Sequence, residues 1–377
     1  MYTALLRIAA AVIGKADLKN PADAVLRIEL KNYRDLSAES TRAISRAVFA
    51  YYRWWKWLGN QAVTEQLAEA MGLQERFLDH PSSFTDEALA ANAVPAWVSE
   101  EVTVSPEWLR ALQSEPKPWL RSRPGRGGEL IKDLAGGRPA GGGVLSDTLE
   151  YWGEKDLFRT AQFHAGQFEI QDISSQLVSL VCQPKAGETW WDACAGEGGK
   201  TLHLADLMQN KGLIWASDRA AWRLQKMKRR AARARVFNYR SATWEGGAKL
   251  PTKAKFDGVL LDAPCSGLGT WQRNPQARWT TTPLDVQELG QLQGNLLEHA
   301  AAAVKPGGKL VYAVCTLTRT ETVEVVKRFE TQLAGFRPLA LQNPLRAAAP
   351  ATTPLWIWPQ DCGGNGMFVA AWVRGDT

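Results

Sequence analysis

The stretch Asp192-Ala-Cys-Ala-Gly-Glu-Gly-Gly-Lys-Thr201 decides the reading of this chain. An apolar run, Thr189–Ala193, leads into it, and a helix-like run, Lys200–Met208, follows. Strand, glycine turn and helix in that order make a ligand-binding unit. Gly196, Gly198 and Gly199 permit positive φ and let a ligand approach the backbone where the helix begins. Three kinds of ligand compete for it. A phosphate loop of the form G-x-x-x-x-G-K-[ST] fits at Gly199-Lys200-Thr201 but has Cys194 where glycine is needed. A dinucleotide fingerprint counted from Gly196 needs glycine where Thr201 stands. Adenosylmethionine needs an acid at the end of the second strand for its ribose hydroxyls. Asp218 closes Leu213-Ile-Trp-Ala-Ser-Asp218, twenty residues beyond Gly198, the spacing of a ribose-binding acid. Dinucleotide binding shares that acid, and a tight turn with a surface aspartate is the bland alternative.

Outward from the turn, strands and helices alternate. Strands are expected at Thr189–Ala193, Leu213–Ser217, Ala234–Phe237, Phe256–Leu261, Lys309–Val314 and Met367–Trp372, with helices at Lys200–Met208, Ala220–Ala232, Leu284–Val304 and Glu321–Leu333. This rhythm predicts an α/β, doubly wound, mostly parallel sheet that binds ligands at the carboxyl ends of its strands. Two thiols fall at such ends: Cys265 in Leu261-Asp-Ala-Pro-Cys-Ser-Gly267 and Cys315 in Tyr312-Ala-Val-Cys-Thr-Leu317. A lone cysteine is usually a buried structural thiol, the reading given to Cys182 and Cys362, with Cys194 in the turn left open. Two thiols and a carboxyl beside a methyl donor suit pyrimidine chemistry. Carbon 5 of a pyrimidine is a poor nucleophile until a thiolate adds at carbon 6. A free thiol is only a few per cent ionised at neutral pH, so the site must help it. Asp262 is placed to hydrogen-bond ring nitrogen 3, and a second thiol can assist release of the product.

The first ~90 residues read as helical. Ser37 is expected to cap a helix through Tyr52 and Leu58, with Ile44, Val48, Tyr51, Trp55 and Leu58 on one face and Arg42, Arg46, Arg53 and Lys56 mainly on another. From Val94 to Phe163 the pattern is mixed, with a glycine-rich piece at 123–143, and suggests a small α+β region. The chain of 377 residues, 45% apolar and 22% charged, suits two or three domains of a globular protein. Its five cysteines contain no C-x-x-C pair, and its four histidines show no metal spacing, so reduced thiols and no metal are expected. The opening apolar run is interrupted by Arg7 and reads as neither signal peptide nor anchor. A cytoplasmic protein without a membrane segment is expected. The net charge of +6 becomes −3 without the nine bases between Arg219 and Arg240. That tract fits a polyanion partner or a solvated helix face. Of the 17 tryptophans, Trp271 and Trp279 could stack on splayed bases, although core anchoring is the commoner use.

Taken together, these motifs resemble the RsmB/Nop/Sun family of RNA cytosine-5 methyltransferases. The matching pieces are the glycine turn, Asp262–Thr270 with Arg273, Asn274, Pro275 and Trp279, then Tyr312–Leu317 with Glu321, the leading segment Gly166–Gln176 and the closing strand Gly366–Ala370. The helical N-terminus resembles the NusB-type RNA-binding domain of bacterial members. The resemblance implies three parts: residues 1–93, helical and NusB-like; 94–165, a small α+β RNA-orienting region; and 166–377, a Rossmann-like catalytic domain. It implies S-adenosyl-L-methionine as cofactor, held by Cys194, Ala195, Gly196, Glu197, Gly198, Gly199, Lys200, Asp218 and Asp262. Cys315 would be the nucleophile and Cys265 the thiol that assists release. Asp262 would contact the target base, and Lys200 would close the turn on the site. The partner implied is structured RNA, ribosomal in view of the N-terminus, with transfer RNA as the alternative; a monomer is expected.

Three positions depart from the family pattern. Gly196-Glu197 replaces Ala-Pro in the turn, which puts a carboxylate near a sulfonium or into solvent. Asn238-Tyr-Arg-Ser241 stands where the family has an acid near the adenine. Val314 replaces the threonine that commonly precedes the nucleophile. A catalytically silent RNA-binding or ribosome-assembly factor is the competing reading, although such a protein has no need for both thiols and Asp262. A DNA cytosine methyltransferase would use a thiol placed like Cys265 and lack one placed like Cys315.

Overall fold

The computed structural model describes residues 2–33 and 35–376; Met1 and Thr377, the outer ends of the first and last expected domains, and Arg34 lie outside the described residues. The chain forms two bodies: one runs to Pro116 and takes in Gly267–Pro283, and the other comprises Lys117–Ser266 and the chain from Leu284 onward.

The first body is helical, with long helices at Tyr2–Lys15, Ala38–Trp54 and Val63–Asp79. The apolar opening run becomes a core helix whose Leu6, Ile8, Ala9 and Val12 are buried. Ser37 caps the second long helix by accepting from Ser40 N–H at 3.0 Å. That helix ends at Trp54 rather than Leu58, and Trp55 is exposed. Arg53 does not join a basic outer face. It is buried and donates to Gln74 Oε1 at 2.9 Å. The helices continue through Pro106–Gln113, so this body extends past the expected 93/94 boundary. The segment after the Cys265 motif is part of its core. Arg278, fully buried, donates to Ala93 O at 2.9 Å, Leu112 O at 3.0 Å and Gln113 Oε1 at 2.9 Å. Trp271 is fully buried and meets Trp97 edge to face, while Trp279 Nε1 donates to Tyr52 O at 2.6 Å. Trp271 is thus a core anchor, with no face free for a base.

The second body begins with a small antiparallel sheet of β1 (Trp119–Ser122), β2 (Gly137–Pro139), β3 (Thr148–Tyr151) and β4 (Phe168–Ile170), in the order β2-β3-β1-β4. Strand β4 pairs with β1, so the small sheet extends beyond the 165/166 boundary. The large sheet comprises β5 (Thr189–Asp192), β6 (Leu213–Asp218), β7 (Tyr239–Thr243), β8 (Phe256–Asp262), β9 (Val304–Val314), β10 (Phe336–Pro338), β11 (Leu355–Ile357) and β12 (Met367–Arg374). Its order is β10-β12-β9-β8-β5-β6-β7, with β11 beside β12. Strands β5 to β9 pair in parallel, and β12 runs antiparallel to β9.

Both faces of this sheet are covered, and side chains alternate between them. Trp190, Ile214, Leu260, Val311 and Val369 belong to the core with the helices Ile173–Cys182, Gly199–Leu207 and Ala221–Ala234. Trp191, Val259, Leu261, Tyr312 and Phe368 belong to the core with Pro283–Ala301 and Val323–Gln332. Gly258 leaves space for Trp190, since a Cβ there would lie 2.3 Å from its ring. Strand order reverses between β5 and β8, which opens a cleft at their carboxyl ends.

The third parallel strand is Tyr239–Thr243, not Ala234–Phe237. Leu224, Met227, Ala231 and Ala234 continue one buried helical stripe, and Arg235 closes the helix in the left-handed conformation at φ 55°. As an edge strand, β7 carries few apolar residues, so the apolar run that precedes it misled the sequence reading. Among the described residues, no helix is long and apolar enough to cross a membrane.

Candidate active site

The glycine turn lies between β5 and the helix Gly199–Leu207. Gly196 and Gly198 have φ of 55° and 85°, and a Cβ on Gly198 would sit 2.3 Å from Met227 Cγ. Three amides of the turn are engaged within the fold: Ala195 N–H donates to Ser217 O at 2.8 Å, Gly196 N–H to Asp218 Oδ2 at 3.0 Å, and Gly198 N–H to Ala195 O at 2.8 Å. Lys200, which would reach a phosphate in a phosphate loop, donates instead to Asp262 Oδ2 at 2.6 Å. With Lys200 turned to a carboxylate and Asp218 at the turn, the arrangement favours a ribose-bearing ligand without phosphates. Asp218 is held rigidly by Gly196 N–H and by Ala220 N–H at 2.8 Å, and its oxygens keep lone pairs for two hydroxyls.

A cavity of about 460 Å³ runs from this turn to the two thiols, a size suited to a nucleoside-sized ligand. Asp218, Gly196 and Glu197 line it together with Trp244, Glu245 and Gly246, and Lys200, Asp262, Cys265 and Cys315 line it as well. Cys265 follows β8 and Cys315 follows β9. Parallel pairing sets Asp262 beside Ala313, and the two sulfurs lie 3.3 Å apart. Of the other three thiols, Cys182 is fully buried, Cys194 lines the cavity at the turn and Cys362 lies elsewhere; desolvation pushes Cys182 and Cys194 far up and Cys362 up to about 11. The neutral, fully buried Cys182 is inert. Burial would lower the Lys200 ammonium, but Asp262 more than reverses this and raises it. The cavity therefore contains a fixed cation and carboxylate beside the thiol pair. Among the described residues, no group of three or more His, Cys, Asp and Glu side chains is placed to hold a metal ion.

The structure thus brings Cys194–Lys200, Asp218, Asp262, Cys265 and Cys315 together at the carboxyl edge of one sheet; Gly198 acts through the shape of the turn. Glu197 is half-exposed and pairs with Lys226 Nζ at 2.7 Å, so its charge is balanced from the helix side. The sequence reading missed Trp244 and Glu245 because it placed the third strand five residues early. Those two, not Asn238–Ser241, follow that strand into the cavity. It also missed Asp192, which is fully buried, accepts from Thr201 Oγ1 at 2.6 Å and is pushed up to about 7 by burial. Its position as the last residue of β5 was the available signal.

Residues 179–373 match the family described as 16S rRNA methyltransferase RsmB/F. The chain belongs to this family. A probable ribosomal RNA small subunit methyltransferase B of Synechocystis sp. is 39% identical over 216 residues, covering 55% of this chain and 48% of that protein. Ribosomal RNA small subunit methyltransferase F of Cronobacter sakazakii is 35% identical over 235 residues, 58% of this chain and 48% of its own length. The chain spans about half the length of these relatives. The fold is also that of PH0851, whose crystal structure superposes with a TM-score of 0.80 at 23% identity, covering 98% of each chain. The RsmB/F match contains the whole cavity lining except Ser175.

Proposed function

We propose that this chain transfers a methyl group from S-adenosyl-L-methionine to carbon 5 of a cytidine in structured RNA, ribosomal RNA being the substrate that the relatives' names favour. One observation carries the reading: two accessible thiols 3.3 Å apart share a cavity with a ribose-type acid. Neither a silent RNA-binding protein nor an enzyme with a single catalytic thiol has a use for that pair.

Asp218 and the glycine turn would hold the ribose, and Trp244 and Glu245 would flank the adenine. When bound, the cofactor supplies a methyl group made electrophilic by a sulfonium. Cys315, the position that the family pattern assigns to the nucleophile, adds its sulfur to carbon 6 and so makes carbon 5 electron-rich. Asp262, held by Lys200, faces the ring and hydrogen-bonds the base at nitrogen 3 as charge shifts during addition. After methylation the carbon 5 proton passes to the Cys265 thiolate, its C–H pair forms the carbon 5–carbon 6 double bond, and the carbon 6–sulfur bond breaks with its pair on Cys315. Cys265, beside that bond, assists this release. The nine-base tract contributes a partly free basic face. Arg230 and Arg233 are bound to Glu169 and Lys226 to Glu197, while Lys228 and Arg229 are exposed on the same helix and suit RNA phosphates.

The test uses two variants and isotopically labelled donor on ribosomal RNA lacking its own methylation. Cys315→Ala is expected to abolish transfer and keep donor binding. Cys265→Ala is expected to accumulate a protein–RNA adduct that survives denaturing gels. Wild-type turnover by Cys315→Ala would exclude this chemistry.

A further inference from the structure

Cys265 and Cys315 lie on separate loops, so their 3.3 Å separation depends on whatever ties those loops together. Glu321 makes that tie. It is fully buried, six residues beyond Cys315 and just before the helix Val323–Gln332. Its Oε1 accepts from Ser266 N–H at 2.8 Å and from Gln293 Nε2 at 3.0 Å. Its Oε2 accepts from the hydroxyls of Ser266 at 2.5 Å, Thr318 at 2.8 Å and Thr316 at 3.1 Å. All five donors are uncharged, and a buried carboxylate so solvated is fixed in place by those bonds.

Two of the four donor residues directly follow the thiols. Ser266 follows Cys265, and Thr316 follows Cys315. Gln293 donates as well to Pro264 O at 2.9 Å, so the Cys265 loop is gripped on both sides of its sulfur. The Ser266 and Thr316 hydroxyls meet each other at 2.9 Å, closing a ring of contacts beneath the two thiols.

We infer that Glu321 is a positioning residue: its one carboxylate holds the Cys265 and Cys315 loops in register and so sets the distance between the two sulfurs. The role rests on the two-thiol reading of the reaction given above. The distance itself can be measured without that reaction.

The full chain is treated with diamide, and Cys265–Cys315 cross-linking is followed by peptide mass mapping. Each disulfide formed passes two electrons and two protons from the thiol pair to the diazene, which becomes a hydrazine. Wild type is expected to cross-link rapidly, and Glu321→Ala roughly tenfold or more slowly, because effective concentration falls steeply with misplacement. Glu321→Gln is expected between them, since its amide oxygen still accepts from Ser266 N–H while its amino group accepts nothing. Circular dichroism reports whether each variant is folded. Should Glu321→Ala unfold, Ser266→Ala and Thr316→Val each remove one arm of the network and are expected to slow cross-linking. Cross-linking at the wild-type rate by a folded Glu321→Ala, or by both single-arm variants, overturns the assignment. In a parallel methylation assay, Glu321→Gln is expected to lower kcat about tenfold with KM for RNA unchanged. Wild-type protein that methylates no RNA would overturn the proposed function and leave the cross-linking result standing. Wild-type kcat in Glu321→Gln would overturn the positioning role alone.

Discussion

The Lys200 ammonium meets Asp262 Oδ2 at 2.6 Å, joining the helix after the glycine turn to the end of β8. This contact turns a Gly-Lys-Thr sequence away from phosphate and toward a carboxylate at the thiol end of the cavity. Lys200 is nearly enclosed while Asp262 is partly open to the cavity, so the lysine fixes a carboxylate that remains able to face a base.

Lys200→Met is therefore expected to lower kcat for methyl transfer by about 100-fold, the scale of a mispositioned acid–base group, with a smaller effect on donor affinity. Steady-state kinetics together with donor titration separates the two. A change confined to KM would assign Lys200 to binding instead.

Asp192 connects the site to pH. Burial raises its carboxyl to about 7 from an ordinary value near 3.8, so between those values the folded state holds a proton that the unfolded state has lost. Stability from this group is present at low pH and falls as pH rises toward 7. Asp192→Asn is expected to flatten this fall, so that its melting temperature gains on wild type by several degrees between pH 4.5 and pH 8. Parallel curves for the two proteins would show that Asp192 ionises normally.

Two pairs of cations on one helix should behave in opposite ways. Lys228 and Arg229 are exposed, and replacing both with alanine is expected to weaken RNA binding and to reduce the salt slope by about one per lost phosphate contact. Arg230 and Arg233 both bind the buried Glu169 at 2.9 and 2.7 Å. Burial would raise the Glu169 carboxyl, but these arginines hold it below the usual carboxylate range. Arg230→Ala is expected to lower stability by about 1–3 kcal/mol, read by urea unfolding. An equal loss of stability in Lys228→Ala would contradict the division.

Arg278 should matter to the helical body. Its guanidinium satisfies Ala93 O, Leu112 O and Gln113 Oε1, and Arg278→Ala leaves these buried acceptors without it. A loss of about 3 kcal/mol or more is expected, concentrated in the helical transition if the two bodies unfold separately. Hydrogen exchange localises it. Protection lost only in the large sheet would show that the arginine serves elsewhere.

Much of the fold was legible because strand residues buried on both faces read as apolar runs, as in β5, β8 and β9. Where that signal is weak the reading slipped. Strand β7, Tyr-Arg-Ser-Ala-Thr, is an edge with little apolar character, and the helix before it ends in an alanine-rich stripe that resembles a strand. That slip hid Trp244 and Glu245. The tryptophans show the opposite failure: Trp271 lies just past the Cys265 motif in sequence, yet the chain leaves the second body after Ser266 and packs this residue in the helical one.

The sequence by itself determined the α/β order, the glycine turn, the acid Asp218 and both thiols as strand-end residues, because their positions follow from local apolar patterning. Only the tertiary structure decided that Lys200 turns to Asp262, that Arg53 and Arg278 lie inside, and that Glu321 hydrogen-bonds residues of both thiol loops. Hydrogen-bond partners that lie far apart in sequence are chosen by packing, and no local pattern of residues encodes that choice.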